Sequence, residues 1–338
     1  MAIPGFAQTE LIQDGIIYKL YTPETGTPYA EVFGNLITEA TDVVIPNMVT
    51  KDNVDYPVTA IAKTAFYECQ YLTGIKIGNS VKTIGEFAFS GCKSLASVEI
   101  PNSVTSIGES AFQYCSSLTS IEIPNSVTYI GVYAFAGCSS LTSIEIPNSV
   151  TTINGWAFYG CESLESVVIG NSVTSIGVSA FQYCSSLTSI DIPNSVTSIE
   201  YGTFRHCSAL ISVEFPNSVT PIGNYAFYNC DKIETVLYDT TEPINCDKNI
   251  FSDAVYQNAT LSVAKGGLDK AYETEPWMYF VNIEESNTSG VDDIEVDGNE
   301  AVEVYNLNGI KVGESTAGLA KGLYIVKQGS ETRKIIVK

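Results

Sequence analysis

The chain has 338 residues, 45% of them hydrophobic, with 17 basic residues against 38 acidic ones and a formal net charge of −21. That composition supplies a core and excludes global disorder, while the charge disfavours nucleic-acid backbones and anionic membrane surfaces, which attract positive patches. No apolar run approaches the roughly 20 residues a bilayer-spanning helix needs.

The chain opens MAIPGFAQTE, without a basic n-region or an apolar h-region. Two readings of residues 3–8 are open: the tail of a trimmed signal peptide, or a disordered start. Next, GIIYKLY and YAEVFG flank the turn-rich PETGTP, which predicts a hairpin cap within residues 1–42. A cap is needed because the unit that follows would otherwise end on an open core.

From VVIPN at residues 43–47 the chain becomes periodic, after about nine extra residues that include KDNVDYP at 51–57. Cys69, Cys92, Cys115, Cys138, Cys161, Cys184, Cys207 and Cys230 follow one another at intervals of 23. Three residues before each stands phenylalanine, and three after each stands leucine, with Ile233 the exception. The copies are close: 110–128 reads SAFQYCSSLTSIEIPNSVT, and 179–197 differs only by Asp191 for Glu122. A fixed period of this length predicts a solenoid, a stack of coils each touching its neighbours.

Within a coil, Ile121 and Ile123 alternate with Ser120 and Glu122, the period-2 pattern of a half-buried strand that Pro124 ends. One strand per coil builds a parallel sheet. Asn125 and Ser126 suit a turn in which the side chains bond nearby backbone groups. The ESAFQYC-type segment is expected to form one or two helical turns, buried through Ala111, Phe112 and Cys115. Stacked coils lie about 4.8 Å apart, too far and too parallel for disulfides, which need Cβ atoms about 3.5–4.5 Å apart. The cysteines therefore read as small buried hydrophobes, and zinc spacing of the C-x-x-C kind is absent. Cys246 lies off the register.

After Cys230 the pattern decays: 258–263 is expected to give a last strand, 266–272 a short helix, and Trp277 with Phe280 a lid, closing a solenoid over 43–283. Residues 284–298, EESNTSGVDDIEVDG, read as an acidic linker. Residues 299–338 read as a small all-β module, with Asn308-Gly309 between alternating strands as its hairpin signal.

The unit CSSLTSIEIPNSVTYIGVYAF, from Cys115 to Phe135, resembles the BspA-like, treponemal-type leucine-rich repeat, and the resemblance covers about residues 40–283. It implies a curved leucine-rich-repeat solenoid on secreted or surface proteins of anaerobic bacteria and some mucosal protozoa. Adhesion and host or matrix protein binding are the associated functions, and no family-wide catalytic residue carries over. The closing VYNLNGIKV, LAKGLYIVK and RKIIVK resemble the C-terminal sorting domains of type IX secretion, in a module shorter than a full one.

Outward positions on the sheet face, concave if the resemblance holds, form a column: Lys76, Glu99, Glu122, Glu145, Val168, Asp191, Glu214 and Leu237. Like charges about 4.8 Å apart repel by about 0.9 kcal/mol in bulk water, a cost that a basic ligand relieves. Ser120, Ser143 and Ser189 belong to a flanking hydroxyl column. This face is either merely solvated or a groove for a basic protein segment. Calcium fits poorly, because it takes 6–8 converging oxygens. On the other edge stand Tyr67, Tyr114, Tyr133, Tyr159, Tyr183, Tyr201, Tyr225 and Tyr228, either packing over neighbouring coils or forming an interface. The lone histidine, His206, reads as exposed and solvated. No catalytic or phosphate-binding motif occurs, and no cofactor is implied. The expected function is an exported, non-enzymatic scaffold that binds protein. The alternatives are a passive spacer or surface-layer element and, remotely, a glycan-active hydrolase.

Overall fold

The structure, a computed structural model, describes residues 6–286, 302–306, 311–313, 322–328 and 331–337. Two compact units divide between Glu285 and Ser286.

The first unit opens with three antiparallel strands: β1 (Phe6–Gln13), β2 (Ile16–Pro23) and β3 (Tyr29–Asn35). The hairpin expected from 15–34 is therefore preceded by one more strand. Residues 6–8, expected to be disordered or a leader remnant, pair with β2. The extra residues of the first coil form a second hairpin, Met48–Lys51 against Val54–Ile61, which turns at Asp52 and Asn53 with φ of 52° and 64°. Positive φ at both corner residues suits a tight hairpin, and Asp and Asn tolerate it. Strand β3 pairs parallel with Val54–Ile61, so the cap continues into the stack.

Most coils carry two strands where one was expected. Ser143–Ile146 pairs in register with Ser166–Ile169, and Thr152–Ile153 with Ser175–Ile176, in two separate parallel ladders. Gly131 lies where coils touch: a Cβ there would sit 2.5 Å from the Glu109 nitrogen. Ser126 does not bond within its own turn. It donates to the Val104 carbonyl of the preceding coil at 2.6 Å.

The expected helical turn is replaced by overlapping turns with divided hydrogen bonding. In the Cys69 coil the N–H groups of Thr64, Phe66 and Glu68 donate to Glu86, Ala88 and Ser90 of the next coil, at 2.9, 2.7 and 2.8 Å. The N–H groups between them, Ala65, Tyr67 and Cys69, close turns onto residues three back. Alternate donors thus leave the coil, so no continuous helix forms. The geometry needs left-handed residues four apart: Thr64 and Glu68 have φ of 60° and 54°, and Phe87 and Gly91 repeat it at 55° and 77°.

The interior is a column of aromatic rings. Phe66 through Phe227 stack with centroids 5.0–5.4 Å apart and planes within 17° of parallel. Burying each stabilises by about 1.5–3 kcal/mol. Beside them all eight periodic cysteines are buried free thiols. Seven of them donate to the carbonyl of the phenylalanine 26 residues earlier, as Cys161 Sγ does to Phe135 at 3.3 Å. The thiol is thus a donor as well as a filler. Burial pushes up the thiols from Cys69 to Cys207, Cys92 and Cys138 to about 12, which leaves those seven without thiolate reactivity at neutral pH.

The far end is closed by strand Thr260–Val263, helices Asp253–Asn258 and Leu268–Glu273, and strand Asn282–Glu285. Trp277 is fully buried and donates from Nε1 to the Ile244 carbonyl at 2.7 Å. Glu284 and Glu285, expected in the linker, extend the ladder by pairing with Ser262 and Val263. The rest of that linker, from residue 287, lies outside the described residues, as does Asn308-Gly309.

In the second unit Val302–Asn306, Lys311–Gly313, Gly322–Gln328 and Glu331–Val337 form an antiparallel sheet. The strands on either side of Asn308-Gly309 are paired, Tyr305 opposite Lys311.

Candidate functional site

The outward column of the sheet face sits on extended backbone whose inward partners, such as Ile144 and Ile146, are buried. It begins with Lys76 opposite Glu99, joined at 2.6 Å in an exposed ion pair. Glu122 and Glu145 follow, both exposed, and no ion pair holds either among the described residues. Val168 stands opposite Glu145 and interrupts the charge, half exposed at 49%. Asp191 and Glu214 come next, with Glu214 opposite Leu237. Partial desolvation raises the Asp191 carboxyl above the usual range. Its side chain is one methylene shorter than glutamate and stays nearer the sheet even though the residue reaches water.

The ladder under this column is not continuous. It divides into three parts, Thr41–Val44 to Ser97–Glu99, Ser143–Ile146 with Ser166–Ile169, and Ser189–Ile190 to Asn282–Glu285. Glu122 lies in the gap, on a coil that adds no strand to this ladder, though the Thr142 N–H reaches the Thr119 carbonyl at 3.1 Å. The hydroxyls Ser120, Ser143 and Ser189 are exposed beside the column, as expected.

Two features went unread in the sequence. Glu165 and Glu234 take positions otherwise held by residues such as Thr119, Thr142 and Thr188, and so widen the acidic strip. Also, no lysine, arginine or histidine occurs between Lys93 and Arg205, a span with eight carboxylates. Tracing columns one position further along the strand and counting charge coil by coil would have found both.

The turn edge gathers the aromatic residues. Tyr133 stacks on Trp156 at 5.1 Å, Tyr159 meets Tyr183 edge-on at 5.5 Å, and the Arg205 guanidinium lies 5.5 Å from the Tyr225 ring. His206, expected to be solvated, is half-buried and stacks on Tyr183 at 4.5 Å. Its φ of 64° turns the ring along the stack onto the preceding coil. Burial and then the Arg205 charge lower its basicity, against a smaller opposing effect of Asp231. No group of three or more metal-ligating side chains occurs among the described residues.

Two parallel ladders and an interior of repeated leucine, isoleucine, phenylalanine and cysteine define a β-solenoid of the leucine-rich-repeat class. Residues 59–188 and 174–263 match the BspA type leucine rich repeat region, in six copies. The chain belongs to that family. Among solved structures, a leucine rich cell surface protein from Faecalibacterium prausnitzii A2-165 aligns over 84% of this chain and 96% of its own, at 24% identity and a TM-score of 0.50. That likeness is one of fold. A leucine-rich repeat protein from Bacteroides ovatus is 25% identical over 79% of this chain and 80% of its own, with a TM-score of 0.40. The T. pallidum leucine rich repeat protein is 28% identical over 67% of this chain and 91% of its own, with a TM-score of 0.45. No curated protein matches the chain. No helix among the described residues is long and apolar enough to cross a membrane.

Proposed function

We propose that this chain is an exported, cell-surface or secreted, non-enzymatic recognition scaffold of an anaerobic bacterium, and that its sheet face takes a basic segment of a host or matrix protein. The observation that carries the reading is the run of exposed carboxylates at Glu99, Glu122 and Glu145, continued by Asp191, in a span that holds no cationic side chain between Lys93 and Arg205, with Glu214 following beyond it. Lys76 pairs with Glu99 at one end, and the cation-free span beyond it favours encounter with a positive partner and penalises a negative one. Family membership and the cell-surface relative with the same fold support a scaffold rather than an enzyme. The C-terminal sheet, with its likeness to sorting domains of type IX secretion, serves export in this reading.

The test is capture of a lysine-rich peptide by the full chain at low and high salt. Glu122→Lys with Glu145→Lys should weaken capture about tenfold at low ionic strength and flatten the salt dependence. Capture indifferent to that double change would return the passive-spacer reading.

A further inference from the structure

A groove of about 860 Å³ crosses the turns of five successive coils, from Tyr67 to Gly160, on residues the acidic column does not use. Its tyrosines stand on alternate coils: Tyr67 and Tyr114 are 50% and 57% exposed, Tyr114 one position later in its coil. The half-buried Tyr159 lines the groove two coils further on, while Phe87 lines it from the coil between the first two. Gly91 and Gly137 stand on the coils between the tyrosines and Gly160 follows Tyr159, with φ of 77°, 73° and 69°. Glycine is at ease in that conformation and also clears the floor. A Cβ on Gly137 would lie 2.4 Å from the Tyr114 ring, so that ring rests over bare backbone and keeps its outer side to water. Gln113, Ser116 and Ser139 add neutral hydrogen-bonding groups, and Lys93 offsets Glu68 and Glu162. The groove thus presents rings and neutral polar groups without a dominant charge.

We propose that this turn-face groove binds an extended, neutral β-1,4-linked hexopyranose chain lying along the stack. The spacing selects the ligand. The phenylalanine rings beneath advance 5.0–5.4 Å per coil, close to the advance per sugar of such a glycan in its flat, two-fold form. Every second sugar of that chain shows the same ring face, and the two exposed rings, Tyr67 and Tyr114, lie two coils apart. A peptide strand advances about 3.3 Å per residue and a polyproline helix about 3.1 Å, and neither stays in step with the coils. An α-1,4-linked chain curls away from a straight row. Tyrosine offers a flat apolar ring with a polar tip, suited to the C–H face of a sugar and its hydroxyl rim.

Native electrophoresis of the full chain through gels containing hydroxyethyl cellulose, galactomannan or glucomannan tests this, with glycogen as the α-linked control. At least one β-1,4-linked polymer should retard the protein, and glycogen should not. Tyr67→Ala and Tyr114→Ala should each weaken the association about tenfold, the loss of one stacked ring, while Tyr114→Phe keeps it. Both tyrosines are half exposed, so the variants should retain the parent circular-dichroism spectrum. Glu122→Lys with Glu145→Lys should leave retardation unchanged, which separates this groove from the sheet face. The proposal is overturned by no retardation in any β-1,4 polymer, by equal retardation in glycogen, or by binding that survives both alanine changes. Binding of a proline-rich peptide that these tyrosines control, in place of glycan, also overturns it.

Discussion

The sheet face and the turn face belong to the same coils but hold the stack together differently. On the sheet face the parallel ladder divides into three parts, and the Glu122 coil contributes no strand to it. On the turn face, inter-coil bonds recur in every coil, from the Thr64 N–H to Glu86 through to the Phe227 N–H to Ile250. Directly beneath the turns lie the phenylalanine column and the thiols that donate to its carbonyls. The coherence of the stack therefore rests on the turn side and the interior, which leaves outward positions of the sheet face free to differ from coil to coil.

That contrast can be attacked from the inside outwards. Phe158→Ala opens a void between Phe135 and Phe181, whose centroids lie 5.4 and 5.3 Å from that of Phe158. It should cost about 3–5 kcal/mol, read as a lower midpoint in chemical denaturation. An unchanged midpoint would remove the interior column from its place as the spine. Cys161→Ala deletes one inter-coil donor and the bulk of a sulfur, and should cost about 1–2 kcal/mol in the same assay. A change on the sheet face should do least. Asp191→Asn removes a charge whose folded-state carboxyl is raised by desolvation. A raised carboxyl holds its proton more tightly when folded, so the ionised form opposes folding above that range, and the opposition fades as pH falls through it. The variant should therefore show a small gain in midpoint at pH 7 that disappears in acid. A loss at pH 7 would show that Asp191 makes a stabilising contact.

Much of this was legible in the sequence, because a period of 23 converts one-dimensional matches into spatial columns. Phe112, Cys115, Leu118 and Ile121 are inside as their spacing required. The turn conformation was not legible. Left-handed φ falls at Tyr114, Tyr133 and Trp156, residue types that give no local signal for it, since the inter-coil bonds impose it. The second strand escaped notice because Ser175–Ile176 is only two residues long, too short for alternation to show. The outward placement of the column's positions follows from the alternation of the strand, but the ion pair of Glu99 with Lys76 and the crowding of Asp191 depend on side-chain reach. The glycine-floored groove needed coordinates, because nothing in the sequence says which ring lies over Gly137.

Seven thiols reach back 26 residues, one full unit and three positions more. Every such tie is therefore indifferent to how many units precede or follow it. Residues 110–128 and 179–197 are almost the same text, 69 residues or three whole units apart. Unequal exchange in the gene between those two stretches would excise or duplicate three coils without leaving one donor stranded. Such a descendant would lose or gain length along both outer faces while its interior bonding stayed intact, so the reach of the molecule can evolve in steps without passing through an unfolded ancestor.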